Sequence, residues 1–186
     1  TKIIVFYPKH GVSPIQEKQM VTQKGNNTYV VGITGNFDDA QTAVKKMFND
    51  KELEAELDAA GYQFSSANSI NIGRLVPQIV YYVYAYASLV RQSKIKDGQE
   101  INVVVPTGNF GNILAAYYAK QMGLPIHKLI CASNDNKVLY DFFRTGIYDR
   151  KRDFILTTSP SMDILISSNL ERLIYRIAGS DAKKCA

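Results

Sequence analysis

The sequence predicts an α/β protein in two lobes, with a parallel sheet that carries helices on both faces. Three observations lead there. Strand-like and helix-like patterns alternate along most of the 186 residues. The run Ile101-Asn102-Val103-Val104-Val105 is short, mostly apolar and rich in β-branched residues, as in strands buried on both faces of a parallel sheet. A glycine-containing loop, a helical pattern to Met122 and a second strand-like run, Ile126 to Ala132, come after it. Such a β-loop-α-β unit implies a right-handed crossover between parallel strands.

The remaining elements are taken in chain order. Ile3 to Tyr7 is apolar enough for a strand. Ser13 offers a helix-capping hydroxyl, Pro14 sits at the first helical position and Gln16 lies three residues after the cap, so a helix is expected to about Val21. Asn26-Asn27 marks a turn before the β-branched and aromatic run Thr28 to Ile33. Asp38 is read as the cap of a helix with Ala40, Ala43, Val44, Met47 and Phe48 at helical spacing. A small and polar stretch around Gly61 marks a lobe boundary, dividing the chain into residues 1–64 and 65–186. Beyond it, Val76, Val80, Val83, Ala87 and Val90 form the expected buried stripe of a strong helix, with Pro77 in its first turn or at a kink. Ile95 to Glu100 is a polar turn. Gly123 and Pro125 stop the helix that begins at the glycine loop. Helices over 137–145 and 160–178 complete the expected architecture.

Composition narrows the function classes. The formal net charge of +5 is mild, and the basic residues are scattered with no stripe interleaved with aromatics, which argues against a nucleic-acid partner. No run of about eighteen apolar residues predicts a membrane span. Tyr81, Tyr82, Tyr84 and Tyr86 fall inside a helical pattern and read as packing. Cys131 and Cys185 make neither a disulfide framework nor a metal spacing, and a reducing cytoplasmic location is expected. His10 and His127 stand apart from any cysteine, so no metal is expected. The chain opens on a strand-like run with no Met and no signal peptide, and reads as a piece of something longer.

Two loops can hold anions. Pro106-Thr107-Gly108-Asn109-Phe110-Gly111-Asn112 lies where ligands of open α/β sheets bind, beyond the carboxyl end of a strand. Gly108 and Gly111 let backbone N–H groups approach an anion, and the next helix adds its positive end. Thr107, Asn109 and Asn112 are expected to add side-chain hydrogen bonds. The spacing is neither Walker A nor G-x-G-x-x-G, so a nucleotide is not favoured. The second loop, Asn68-Ser69-Ile70-Asn71-Ile72-Gly73-Arg74, is dense in donors and ends on a forked cation. Together they predict a site for two phosphates.

Ser66-Ala67-Asn68-Ser69-Ile70-Asn71 with Arg74, together with Pro106 to Asn112 further along, resembles threonine synthase. Tyr7-Pro8-Lys9, Gly35-Asn36-Phe37-Asp38-Asp39 and Ser159-Pro160-Ser161-Met162-Asp163-Ile164 agree, and the resemblance spans nearly all of Lys2 to Gly179. It implies the fold type II (tryptophan synthase β-like) architecture, with 1–64 in the smaller lobe and 65–186 in the cofactor-binding lobe. It also implies a carbon–oxygen lyase of threonine biosynthesis that uses pyridoxal 5′-phosphate (PLP) to convert O-phospho-L-homoserine and water to L-threonine and phosphate. By that resemblance Gly108, Asn109, Phe110, Gly111 and Asn112 hold the cofactor phosphate. Asn68, Ser69, Asn71 and Arg74 hold the substrate phosphate.

The family attaches its cofactor to a Lys in an aromatic-Lys-Asp motif upstream of the region matched here. Lys96-Asp97 stands in the wrong place in that order and reads as a solvent-facing turn. No catalytic residue is therefore assigned within the chain, which is expected to be inactive alone. A related fold type II phospholyase and a non-catalytic phosphate-binding or interaction module are the alternatives. Uncovered sheet edges and apolar surface leave room for an oligomer.

Overall fold

The computed structural model describes residues 2–66, Ser69 and 71–185. The chain divides into two compact units, Thr1–Phe64 and Ser65–Ala186.

In the first unit, β1 (Ile3–Pro8) and β2 (Thr28–Ile33) pair in parallel, Ile3 opposite Thr28 and Pro8 opposite Ile33. The helix between them, α1 (Pro14–Val21), starts on the predicted capping box. Ser13 Oγ accepts the Gln16 N–H and Gln16 Oε1 accepts the Ser13 N–H, each at 3.2 Å. Such a cap contributes about 1 kcal/mol, and Pro14 sits where a helix has no use for its missing N–H.

The next helix, α2 (Phe37–Asn49), is capped by Asn36 and not by Asp38. Asn36 Oδ1 accepts the Asp39 N–H at 2.9 Å, and Asp39 Oδ2 accepts the Asn36 N–H at 2.8 Å. The earlier register satisfies two orphan donors and lengthens the helix by two residues. Helix α3 (Lys51–Ala59) was not anticipated. Asp50 ends α2 and caps α3, its Oδ1 accepting from the Glu52 and Leu53 N–H groups. Glu, Leu and Ala, good helix formers, fill most of α3. Ile3, Ile4, Phe6, Tyr29 and Val31 all remain exposed on the strand pair.

In the second unit, β3 (Ile101–Pro106) and β4 (Ile126–Ala132) pair in parallel through the crossover helix α6 (Gly111–Gln121), as the sequence predicted. Helix α6 is the centre of the core. Its Ile113, Leu114 and Ala115 pack with Leu75, Val105, Phe110, Val138, Leu139 and Leu170. These last three come from α7 (Val138–Thr145) and α8 (Leu170–Ile177). On β3, Val105 is buried whereas Val104 is exposed.

Two helical expectations change. The run before β3 is α4 (Ile72–Leu75), a 3-10 turn at Val76–Gln78 that accommodates Pro77, and α5 (Ile79–Arg91). The packed side of α5 is Ile79, Tyr82 and Tyr86, while Val80 and Val83 of the expected stripe are exposed. Apolar residues surround this helix almost completely, so periodicity does not select its inner face. Tyr82 and Tyr86 go inward because their hydroxyls find acceptors, whereas Tyr81 and Tyr84, also expected to pack, are exposed. Tyr86 donates to the Gln99 carbonyl at 3.1 Å.

The expected helix over 160–178 is instead a 3-10 turn at Pro160–Met162, an irregular stretch and α8. Asp163 and Asn169 use their side chains to bind other loops, which competes with helix formation. Beyond α8 the chain contains the short helix α9 (Ala182–Cys185). No helix among the described residues is long and apolar enough to cross a membrane.

Candidate functional site

Strand β3 delivers the glycine loop to the start of α6. Thr107 extends the ladder one step, its N–H donating to the Ala132 carbonyl at 2.8 Å. The chain then reverses through Phe110, whose φ of 68° and ψ of 1° are left-handed. That conformation costs a non-glycine residue about 1–2 kcal/mol. Burial of the Phe110 ring, 4% exposed, offsets it. The ring packs in the core beside Phe143, centroids 6.2 Å apart.

Phe110 is also the N-cap of α6 and has no side-chain acceptor for the N–H groups of the first turn. Asn109 Oδ1 accepts one of them, from Gly111, at 3.2 Å. A helix start leaves four N–H groups without intrahelical partners, so the remaining positions suit an external anion.

The side chains expected to reach a phosphate are committed elsewhere. Thr107 Oγ1 donates to the Val105 carbonyl at 2.7 Å. Asn112 Nδ2 donates to Gln78 Oε1 at 2.8 Å, and its Oδ1 accepts from the Tyr82 hydroxyl at 2.5 Å. Burial pushes the Tyr82 hydroxyl up to about 12, so it stays protonated and donating across the neutral range. The anion-binding capacity of this loop therefore resides in its backbone.

Of the second loop, Asn68 lies outside the described residues. Ser69 is buried against the first loop. Its Oγ accepts from Asn109 Nδ2 at 3.0 Å and from Asn169 Nδ2 at 2.9 Å. Both bonds come from amide donors, which leaves the hydroxyl its own proton to donate. Asn71 caps α4, with Oδ1 accepting from the Gly73 N–H at 2.9 Å and Nδ2 donating to the Ser66 carbonyl at 3.1 Å. Arg74 is exposed at the same helix. The two predicted loops thus meet at Ser69 and Asn109.

Sequence reading missed what holds them. Asn169, fully buried, caps no donor with its side chain; it binds the loops. Its backbone N–H and Nδ2 both donate to the Asn109 carbonyl, at 3.2 and 3.0 Å. Arg172 Nη1 donates to the Ser69 carbonyl and to Asn169 Oδ1, both at 2.7 Å. A second hub, Asp163, accepts from Asn134 Nδ2 at 2.6 Å, Asn136 Nδ2 at 3.0 Å, and the Thr157 N–H and hydroxyl at 2.9 and 2.7 Å. It fixes the turn whose Ser161 carbonyl lies against Gly108. A Cβ on Gly108 would stand 2.7 Å from that oxygen.

Two other places are less suited to chemistry. Lys96-Asp97 forms the expected exposed turn, with the Gln99 N–H donating to the Lys96 carbonyl. A mostly apolar hollow of about 450 Å³ is lined by Phe110, Ile113, Leu129, Phe143 and Leu173, with Arg144 donating to the Tyr140 hydroxyl at its edge.

A parallel β-loop-α-β unit whose glycine loop is bound to a donor-rich second loop matches part of the fold type II (tryptophan synthase β-like) architecture. The comparisons agree. No protein-family profile matches the chain. It is 51% identical over 183 residues to threonine synthase-like 1 of Homo sapiens, covering 97% of this chain and 25% of that protein. It is 43% identical over 176 residues to threonine synthase of Saccharomyces cerevisiae, covering 95% of this chain and 33% of that protein. The structure matches PLP-bound threonine synthase from Brucella melitensis with a TM-score of 0.79 and 45% identity, over 100% of this chain and 38% of that one. It matches the Escherichia coli enzyme with a TM-score of 0.79 and 38% identity, over 95% of this chain and 39% of that one. The chain is similar over nearly its whole length to threonine synthases and to threonine synthase-like 1, and spans a quarter to two fifths of the length of these relatives.

Proposed function

We propose that this chain supplies both phosphate-holding loops of a PLP-dependent lyase that converts O-phospho-L-homoserine and water to L-threonine and phosphate. The observation that carries the reading is the direct junction of the two loops, Asn109 on Ser69, at 3.0 Å. Gly108, Asn109, Phe110, Gly111 and Asn112 hold the cofactor phosphate, through the N–H groups at the start of α6. The absence of a side-chain acceptor on Phe110 supports this fit, because an anion completes the cap. Bound there, PLP supplies an electron sink for carbanion chemistry.

Ser69 and Arg74, with Asn68 and Asn71, hold the substrate phosphate. Ser69 donates its hydroxyl proton and Arg74 a charge-assisted fork. Asn71 shapes the loop by capping α4. These groups orient the phosphate that leaves and stabilise its charge. Residues 1–64 then belong to the smaller lobe and 65–186 to the cofactor lobe.

A second reading is a threonine synthase-like phospholyase that acts on the same or a related phosphorylated amino acid. The 51% identity to threonine synthase-like 1 favours it over the 43% identity to the yeast synthase. Product analysis separates the two: threonine supports the first reading, 2-oxobutyrate the second. In either case Arg74→Ala, in the protein carrying this sequence, is expected to weaken substrate binding about tenfold or more with little change in PLP affinity, since a lost charge-assisted bond removes about 1.5–3 kcal/mol. Equal loss of both affinities contradicts the assignment of the loops.

The chain by itself does not attach the cofactor covalently, because its one Lys-Asp pair lies in an exposed turn. Titration of the isolated chain with PLP is expected to give no stoichiometric visible band. A band abolished by replacing a single Lys sinks that proposal.

A further inference from the structure

We infer that Asn169 and Arg172 are positioning residues that lock the two phosphate loops together, so that each loop's affinity depends on a pair that touches neither ligand. The inference rests on the reading of these loops as phosphate sites. Asn169 donates to Ser69 Oγ and to the Asn109 carbonyl, one partner from each loop. Arg172 holds the Ser69 carbonyl and the Asn169 side-chain oxygen through a single nitrogen. The four groups are cross-linked: Asn109 also binds Ser69 directly, and Asn169 is fully buried.

A buried network in which every member is satisfied has few alternative arrangements. Its consequence here is orientational. Asn169 and Asn109 fill both acceptor positions of the Ser69 hydroxyl, which aims the remaining proton. Asn169, through Nδ2 and its backbone N–H, also fixes the Asn109 carbonyl and with it the start of α6. Neither loop can shift by much without breaking bonds that orient the other. Both anchors lie 60 and 100 residues from Asn169 in sequence, so the coupling is a property of the tertiary structure.

The test uses two ligands on the protein that carries this sequence. PLP titrated without phosphate reports the glycine loop. Inorganic phosphate titrated at saturating PLP reports the Ser69–Arg74 loop. Asn169→Ala is expected to weaken both about tenfold, the equivalent of one or two lost hydrogen bonds. Ile126→Ala, a cavity in the core away from the loops, serves as a stability-matched control and is expected to leave both affinities unchanged in the folded protein.

Should Asn169→Ala not fold, Arg172→Met carries the same expectation. Arg172→Lys, which keeps one donor nitrogen for the two oxygens, is expected to recover part of both affinities; no recovery of either assigns the effect to packing and overturns the inference. Loss of one affinity alone, or of neither, in Asn169→Ala or Arg172→Met also overturns it. The underlying reading fails separately, when Arg74→Ala leaves phosphate affinity unchanged.

Discussion

Gly111→Ala is expected to destabilise the second unit by about 1–3 kcal/mol, the usual cost of overpacking, and to remove PLP binding. Two effects oppose each other. Alanine is the better helix former by about 1 kcal/mol, and Gly111 needs no left-handed backbone, since its φ is not positive. Against that, a Cβ at Gly111 would stand 2.6 Å from both Cβ and Oγ of Ser69. No carbon contact that short persists, so Ser69 must move. Its movement breaks the bonds from Asn109 and Asn169, and the clash outweighs the propensity. Thermal unfolding and a PLP titration check this. Gly123→Ala is the contrast, because a Cβ there meets nothing within 4 Å, and it should cost backbone strain alone and leave PLP affinity intact. A Gly111→Ala protein as stable and as cofactor-competent as the parent would refute the packing argument.

Asp163→Ala should cost about 3–5 kcal/mol, since it leaves several buried donors unsatisfied at about 1–3 kcal/mol each. The carboxylate is 5% exposed and accepts four hydrogen bonds from Asn134, Asn136 and Thr157. Removing it leaves buried donors unsatisfied, which is worse than losing the bonds. Asp163→Asn should recover most of the loss, because three of the four bonds end on Oδ1, which an amide oxygen can replace, and only the Thr157 N–H then faces a donor. Urea denaturation measures the loss, and a value below about 1 kcal/mol would show that water or a shifted loop replaces the carboxylate. The geometry carries the effect to function. Asp163 holds the 3-10 turn at Pro160–Met162, and the Ser161 carbonyl of that turn closes on Gly108. Loosening Asp163 therefore loosens the glycine loop without touching it.

Local chemistry made much of the fold legible. The Ser13-Pro14-Ile15-Gln16 box, the β3-loop-α6-β4 crossover and the stop at Gly123 all depend on neighbours within a few residues. Errors arose where local rules tie. Both Asn36 and Asp38 can cap α2, and only the completed pair with Asp39 decides. Helix α5 is apolar nearly all round, and its inner face was chosen by acceptors for Tyr82 and Tyr86 on other elements. The helix expected from Pro160 onward was broken by Asp163 and Asn169, whose partners lie far along the chain.

The candidate site divides in the same way. The sequence by itself determined that two donor-rich loops exist, each leading into a helix, and that glycines open the first to an anion. Those properties need only residue type and order, since a missing Cβ and a helix start are local facts. The tertiary structure alone decided that the loops meet at Ser69, that Thr107 and Asn112 turn inward and leave the backbone to bind, and that Asn169 and Arg172 hold the junction. Each of these is a hydrogen bond whose existence depends on how the core around α6 brings its segments together, most of them tens of residues apart.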